Sequence, residues 1–202
     1  LATVCDVMPL RKLNRLIALN ALKNFDITKN LPLNTLFKLN EKKNKIDIND
    51  LGYLIGPILN AGGRLGKSQY ATELLSSNND LVVNDRSKSL IKLNDKRKEI
   101  ENLILEEIDF KKIEKENKDV IIYYNPNINE GLIGIIAARL KDYFNKPSFV
   151  ITASNELLKG SARSIYNYNI GRVIKNSLDQ KIILNGGGHN MAAGFTLDKV
   201  NL

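Results

Sequence analysis

The run Leu184-Asn185-Gly186-Gly187-Gly188-His189-Asn190-Met191-Ala192-Ala193-Gly194 places the only histidine of the sequence directly after three glycines. Glycine lets a backbone turn sharply and brings its N–H groups close to a ligand. Successive N–H groups in such a turn form a concavity that suits an anion. An imidazole at its edge adds a donor that can carry charge. The run reads as a phosphate cradle. It reads equally as a tight turn between two buried strands, residues 181–185 and 192–197. Two further runs combine small residues with one arginine each: Gly56-Pro57-Ile58-Leu59-Asn60-Ala61-Gly62-Gly63-Arg64-Leu65-Gly66 and Lys159-Gly160-Ser161-Ala162-Arg163-Ser164. The planar fork of arginine matches phosphate oxygens. Taken singly, Arg64 also reads as a helix-capping residue and Arg163 as a surface strand residue. Three such runs in one basic chain point to a polyanion.

The bulk composition agrees. The 202 residues carry 30 lysines and arginines against 22 acids, a net charge of +8 with a pI near 9.4. Nucleic acid is the first partner such a balance suggests and an anionic membrane surface the second. Lysines that only solvate helix faces contribute to the same count. A hydrophobic share of 43% supports one or two packed domains. Cys5 is the only cysteine, which excludes an internal disulfide framework. No apolar run is long enough to span a bilayer, and the first residues form no basic-then-apolar leader. A reducing cytoplasm is the expected setting, without a membrane partner.

These runs need elements to hold them. Residues 1–5 read as the end of a buried strand, broken by Pro9. Residues 11–22 and 33–39 read as helices, with a charged connection at 41–46. Residues 47–55 predict a helix capped by Asp47 or Asn49, which delivers the Gly56–Gly66 run as a loop. Residues 70–75 form a short amphipathic helix. Residues 86–117 carry Leu90, Leu93, Ile100, Leu103, Ile104 and Ile108 at helical steps, one long helix with a single apolar stripe. Beyond it, strands at 120–124, 148–152, 157–163, 181–185 and 192–197 alternate with helices at 133–144 and 170–178. That alternation predicts an α/β domain.

The motifs ATVCDVMPL, GPILNAGGRLG, LNDKRKEIE, GLIGIIAARL, KGSARSI and GGGHNMAAGFT follow one another in this order. In that order the chain resembles the RecJ single-strand-specific exonucleases of the DHH phosphoesterase superfamily, nearly from end to end. The resemblance implies an α/β protein of three parts. These are the C-terminal part of a DHH catalytic domain (1–85), a connector helix (86–117), and a DHH-associated nucleic-acid-binding domain with a mixed sheet (118–202). The family's upstream aspartate-rich motifs and Asp-His-His triplet have no counterpart here, so the chain is expected to be an internal fragment, inactive when isolated. The resemblance further implies 5′→3′ hydrolysis of single-stranded DNA in repair and recombination. A pair of Mn²⁺ or Mg²⁺ ions activates water and stabilises the leaving oxygen in such enzymes. A single-strand-binding protein is a candidate recruiter.

The site residues follow by the same route. A carboxylate after an apolar segment serves as a metal ligand, a cap or a turn residue. The resemblance makes Asp6 a metal ligand, though one unable to hold an ion tightly alone. Asn60 and Arg64 are implied near the nucleic-acid path, with Ile58 where the family often has Arg. Ser161, Arg163 and Ser164 match a GSGRS pattern with Ala162 in place of its second glycine, and are implied phosphate contacts. Strand alternation lets Ser161 and Arg163 point the same way. Gly186, Gly187, Gly188 and His189 match a GGH pattern, with His189 implied as a catalytic residue on a phosphate near the scissile bond. Tyr166 and Tyr168 offer aromatic faces to unpaired bases, or simply line a loop. Asn127-Ile128-Asn129 stands where the family tends to carry a Trp-His pair. Two other readings remain: a nanoRNase-like oligonucleotide phosphoesterase, and a non-catalytic single-strand-binding module. The connector and the NAGGR pattern favour the RecJ reading over the first.

Overall fold

The computed structural model describes residues 1–42 and 45–202, leaving Lys43 and Asn44 of the expected charged connection outside. The chain forms two compact units, Leu1–Lys98 and Glu99–Leu202. In the first, every regular element among the described residues is helical: α1 (Ala2–Cys5), α2 (Lys12–Asn24), α3 (Leu31–Leu39), a π turn (Asp50–Ile55), α4 (Gly56–Arg64), α5 (Gln69–Ser76) and the start of α6 (Asp80–Glu107). The expected strand at 1–5 is therefore a correction. With no strand beside it, the segment pairs its backbone locally, Val4 and Cys5 N–H groups donating to the Leu1 carbonyl at 2.9 Å. The Cys5 thiol reaches the Leu51 carbonyl at 3.3 Å, and burial pushes that thiol above its ordinary pKa.

The core of this unit gathers Leu36, Phe37, Ile55, Ile58, Leu74, Val83 and Leu90. Asp47 caps the helical run into α4. Its carboxylate accepts the Asp50 N–H at 2.8 Å while the Asp50 carboxylate accepts the Asp47 N–H at 3.1 Å, the reciprocal pattern of a capping box. Arg86 joins α6 to α5 through Glu73 and lies 4.5 Å from the centre of the Tyr70 ring. By contrast α2 has no fully buried residue: Leu13, Leu16 and Ile17 stand exposed, and Leu22 packs half-buried on the core.

The expected helix at 86–117 starts earlier and is interrupted. α6 already begins at Asp80, and α7 (Phe110–Glu116) follows a break at which Asp109 caps α7 by accepting the Lys112 N–H at 2.9 Å. Each end of α6 is built into a core. Leu90, Ile91 and Leu93 pack in the first unit, and Ile100 and Ile104, with Ile108 just past the helix end, in the second. Buried Glu101 is held by Arg139 at 2.7 Å within the second unit.

The second unit is an α/β layer structure. Strands β1 (Ile121–Tyr124), β2 (Ser148–Ser154), β3 (Leu157–Arg163), β4 (Asn185–Gly188) and β5 (Ala192–Leu197) form one sheet in the order β1-β2-β3-β5-β4. β1 runs parallel to β2 and the other pairs are antiparallel, so the sheet is mixed, as expected. α8 (Ile133–Phe144) covers one face with Ile133, Ile136, Ala137 and Leu140, and ends at Asn145 in a left-handed conformation just before Pro147. α9 (Ile170–Asp179) covers the other with Ile170 and Ile174, its start capped by Asn169. Along β3 the alternation is plain. Leu158, Gly160 and Ala162 are buried on the α9 side, with the Phe195 ring lying over Gly160 so closely that a Cβ there would sit 2.0 Å from it. Ser161 and Arg163 face α8.

Candidate nucleic-acid interface

The glycine-rich histidine run is not a turn between two strands. Gly186, Gly187 and Gly188 lie within β4, the edge strand, and residues 181–184 form no strand. None of the three has positive φ. Two are needed because the chain packs against them. A Cβ on Gly186 would meet Ile174 at 2.8 Å and Ile183 at 2.9 Å. One on Gly188 would meet the Ala192 carbonyl oxygen at 2.4 Å. Gly187 faces open space. The turn is His189-Asn190-Met191, and its backbone is already committed. The His189 N–H donates to Ala192 O at 2.8 Å, and its carbonyl accepts the Gly171 N–H at 3.1 Å. The His189 N–H is therefore not available to a nest of anion-binding donors. What remains is the exposed His189 imidazole, with no partner among the described residues.

Arg163 occupies the neighbouring strand end. Its Nη1 donates to Ser161 Oγ at 3.2 Å and to the Ala162 carbonyl at 2.9 Å. Among the described residues no carboxylate pairs with it. Burial draws its pKa below the ordinary arginine range, the direction for a cation short of solvent, though arginine keeps its proton. The guanidinium lies against the first turn of α8: a Cβ on Gly134 would stand 3.0 Å from Nη2 and 3.1 Å from Ser161 Oγ. No side chain caps that helix start. Orphan N–H groups and the positive end of the helix dipole therefore lie beside a half-buried cation and a hydroxyl, an arrangement suited to a phosphate oxygen. Register brings His189 to the same end of the sheet. Arg163 pairs with Ala192, and Ala192 accepts from the His189 N–H.

Ser164 plays another part. It is 1% exposed, and its Oγ donates to the Tyr168 carbonyl at 2.5 Å. Its proton closes the following loop. Gly134 and Gly171, whose missing side chains admit Arg163 and the His189 carbonyl, were not singled out by residue type. The glycine that closes the segment Gly131-Leu132-Ile133-Gly134, at the start of an apolar helix face, was the available signal.

The first unit's predicted residues lie on a helix. Asn60 and Arg64 stand one turn apart on α4, Asn60 exposed and Arg64 half-buried with partners of its own. The expected loop at 56–66 is thus corrected. The helix ends only at Leu65, where Gly66 takes φ +78° and the Lys67 N–H returns to the Gly62 carbonyl at 2.7 Å, a Schellman close. Asp6 follows α1 as an exposed C-cap. No group of three or more His, Cys, Asp or Glu side chains that could hold a metal gathers among the described residues. One exposed carboxylate does not fit a two-metal centre, and no hydrolytic step is assigned to these residues. Nor, among the described residues, is any helix long and apolar enough to cross a membrane.

Known proteins match this architecture. Residues 117–202 match the DHHA1 domain. The single-stranded-DNA-specific exonuclease RecJ of Haemophilus influenzae is 35% identical over 98% of this chain and 36% of its own length. That of Bacillus subtilis is 32% identical over 98% of this chain and 25% of its own. The crystal structure of RecJ from Thermus thermophilus in complex with Mg²⁺ superposes with a TM-score of 0.82 at 25% identity, covering 98% of this chain and 30% of that one. The same protein is known in complex with Mn²⁺. This chain therefore spans about a third of the length of such relatives. With a DHHA1 domain at its end and this likeness along its whole length, the chain is similar to a part of the RecJ exonucleases.

Proposed function

We propose that this chain is the strand-holding part of a 5′→3′ single-stranded-DNA exonuclease that acts in DNA repair and recombination in the cytoplasm. The observation that carries the reading is Arg163: a half-buried cation with no carboxylate partner among the described residues, beside the Ser161 hydroxyl and the uncapped start of α8. A desolvated guanidinium gains most from a partner that brings its own negative charge. Ser161 Oγ accepts from Arg163 and keeps its own proton for a second phosphate oxygen. His189, exposed one strand over, is the donor for a neighbouring phosphate. Hydrolysis would draw on Mn²⁺ or Mg²⁺, for which Asp6 is one ligand of several needed. The names of the relatives support DNA as the polyanion, and a single-strand-binding protein is a recruiter to be tested by co-sedimentation.

The test is titration of a labelled single strand with this chain at several salt concentrations. Arg163→Ala should weaken binding and flatten the slope of log K against log salt by about 0.7 for each phosphate that is no longer neutralised. Affinity and slope that both survive the substitution would remove Arg163 from the interface.

A further inference from the structure

Directly after Arg163 the chain builds a second feature that a phosphate site does not use. A cavity of about 450 Å³ opens between residues 165–169 and the turn at Asn190 and Met191. Ser164 fixes both walls. Its N–H donates to the Met191 carbonyl at 3.0 Å and its hydroxyl to the Tyr168 carbonyl. Asn167 is held at φ +71°, and the Asn169 side chain is committed to capping α9 by accepting the Arg172 N–H at 3.0 Å. Tyr168 packs on the core.

The rest of the rim is unspent. Tyr166 is 86% exposed and Met191 49%. The carboxamides of Asn167 and Asn190 have no hydrogen-bond partner among the described residues. One exposed tyrosine needs no explanation. A tyrosine, a methionine and two unused carboxamides around one preformed cavity describe a ligand with a flat apolar face and an edge of donors and acceptors. An unpaired nucleobase has that chemistry. Aromatic rings stack on such bases, and Asn carboxamides meet their edges. Arg163 lies three residues before Tyr166, so backbone and base of the same strand would be met by adjacent groups.

We propose that this cavity receives one unpaired base of the strand that Arg163 holds, with Tyr166 stacked on it and Asn167 and Asn190 at its edge. The inference rests on the single-strand reading above and adds base recognition to it. It is tested by fluorescence anisotropy with a labelled single strand and a matched strand of abasic sites, using this chain, Tyr166→Ala and Tyr166→Phe. Tyr166→Ala should bind the base-bearing strand about tenfold more weakly, Tyr166→Phe within about twofold of the unmodified chain. The salt slope should stay unchanged, because stacking neutralises no phosphate. The unmodified chain should bind the abasic strand as weakly as Tyr166→Ala binds the normal one, with no further loss on combining the two. Equal affinity for both strands, or indifference to Tyr166→Ala, overturns the base pocket and leaves the phosphate site standing. Failure of the unmodified chain to bind either strand overturns the single-strand reading and the pocket with it.

Discussion

The glycine-rich run of the first unit is wound into α4, whereas that of the second is laid out as the edge strand β4. Both runs offer the same residue types, small side chains around one polar group, yet their glycines serve different ends. In α4, Gly62 lets the chain fold back under the helix, where a Cβ would stand 2.6 Å from the Lys67 carbonyl oxygen, and Gly66 supplies the left-handed residue that closes it. In β4 no glycine is left-handed. Gly186 and Gly188 let Ile174 and the Ala192–Ala193 backbone come close. Absent side chains are used for approach in both places, and for turning in only one.

That contrast can be broken glycine by glycine. The largest loss should come from Gly188→Ala, whose Cβ meets a backbone carbonyl that cannot yield. About 2–3 kcal/mol of stability should go, read as a fall of several degrees in thermal midpoint for a chain of this size. Wild-type stability in that variant would mean the edge strand is free to move off β5. Gly66→Ala should cost about 1–2 kcal/mol through φ alone, because among the described residues nothing but its chain neighbours lies within 4 Å of its Cβ position. If denaturant melts instead find it neutral, the Schellman close does not persist in solution. The smallest effects belong to the two open positions. Gly63→Ala, on the exposed side of α4, should stabilise by about 0.5–1 kcal/mol through helix propensity. Gly187→Ala in the strand should be near neutral. A destabilised Gly63→Ala would mean that this helix face is not open in solution.

Much of the second unit was legible in the sequence. Ile133, Ile136, Ala137 and Leu140 mark α8 by spacing alone, and residues 157–163 carry the small and apolar positions of β3. Local pattern decides these because each element buries one defined face. The misread segments are those where neighbours decide. Residues 1–5 hold β-branched and apolar side chains fit for a strand, but no strand lies beside them and they close a helical turn. The Gly56–Gly66 run looks like a loop by composition, yet Ile58 and Ala61 bury themselves at helical spacing and carry its glycines into α4.

The site divides in the same way. Residue type singled out Arg163 and His189, and the resemblance added Ser161, because a phosphate site would draw on a fork, a hydroxyl and a titratable donor, and few residues supply them. Tertiary structure alone decided which donors remain free. It spent the Ser164 hydroxyl on Tyr168 and the His189 N–H on Ala192, and left Arg163 half-buried beside the start of α8 with no carboxylate partner among the described residues. A sequence names the polar groups it carries. Which of them are satisfied within the fold depends on partners far along the chain, and only the unsatisfied ones are left for a ligand.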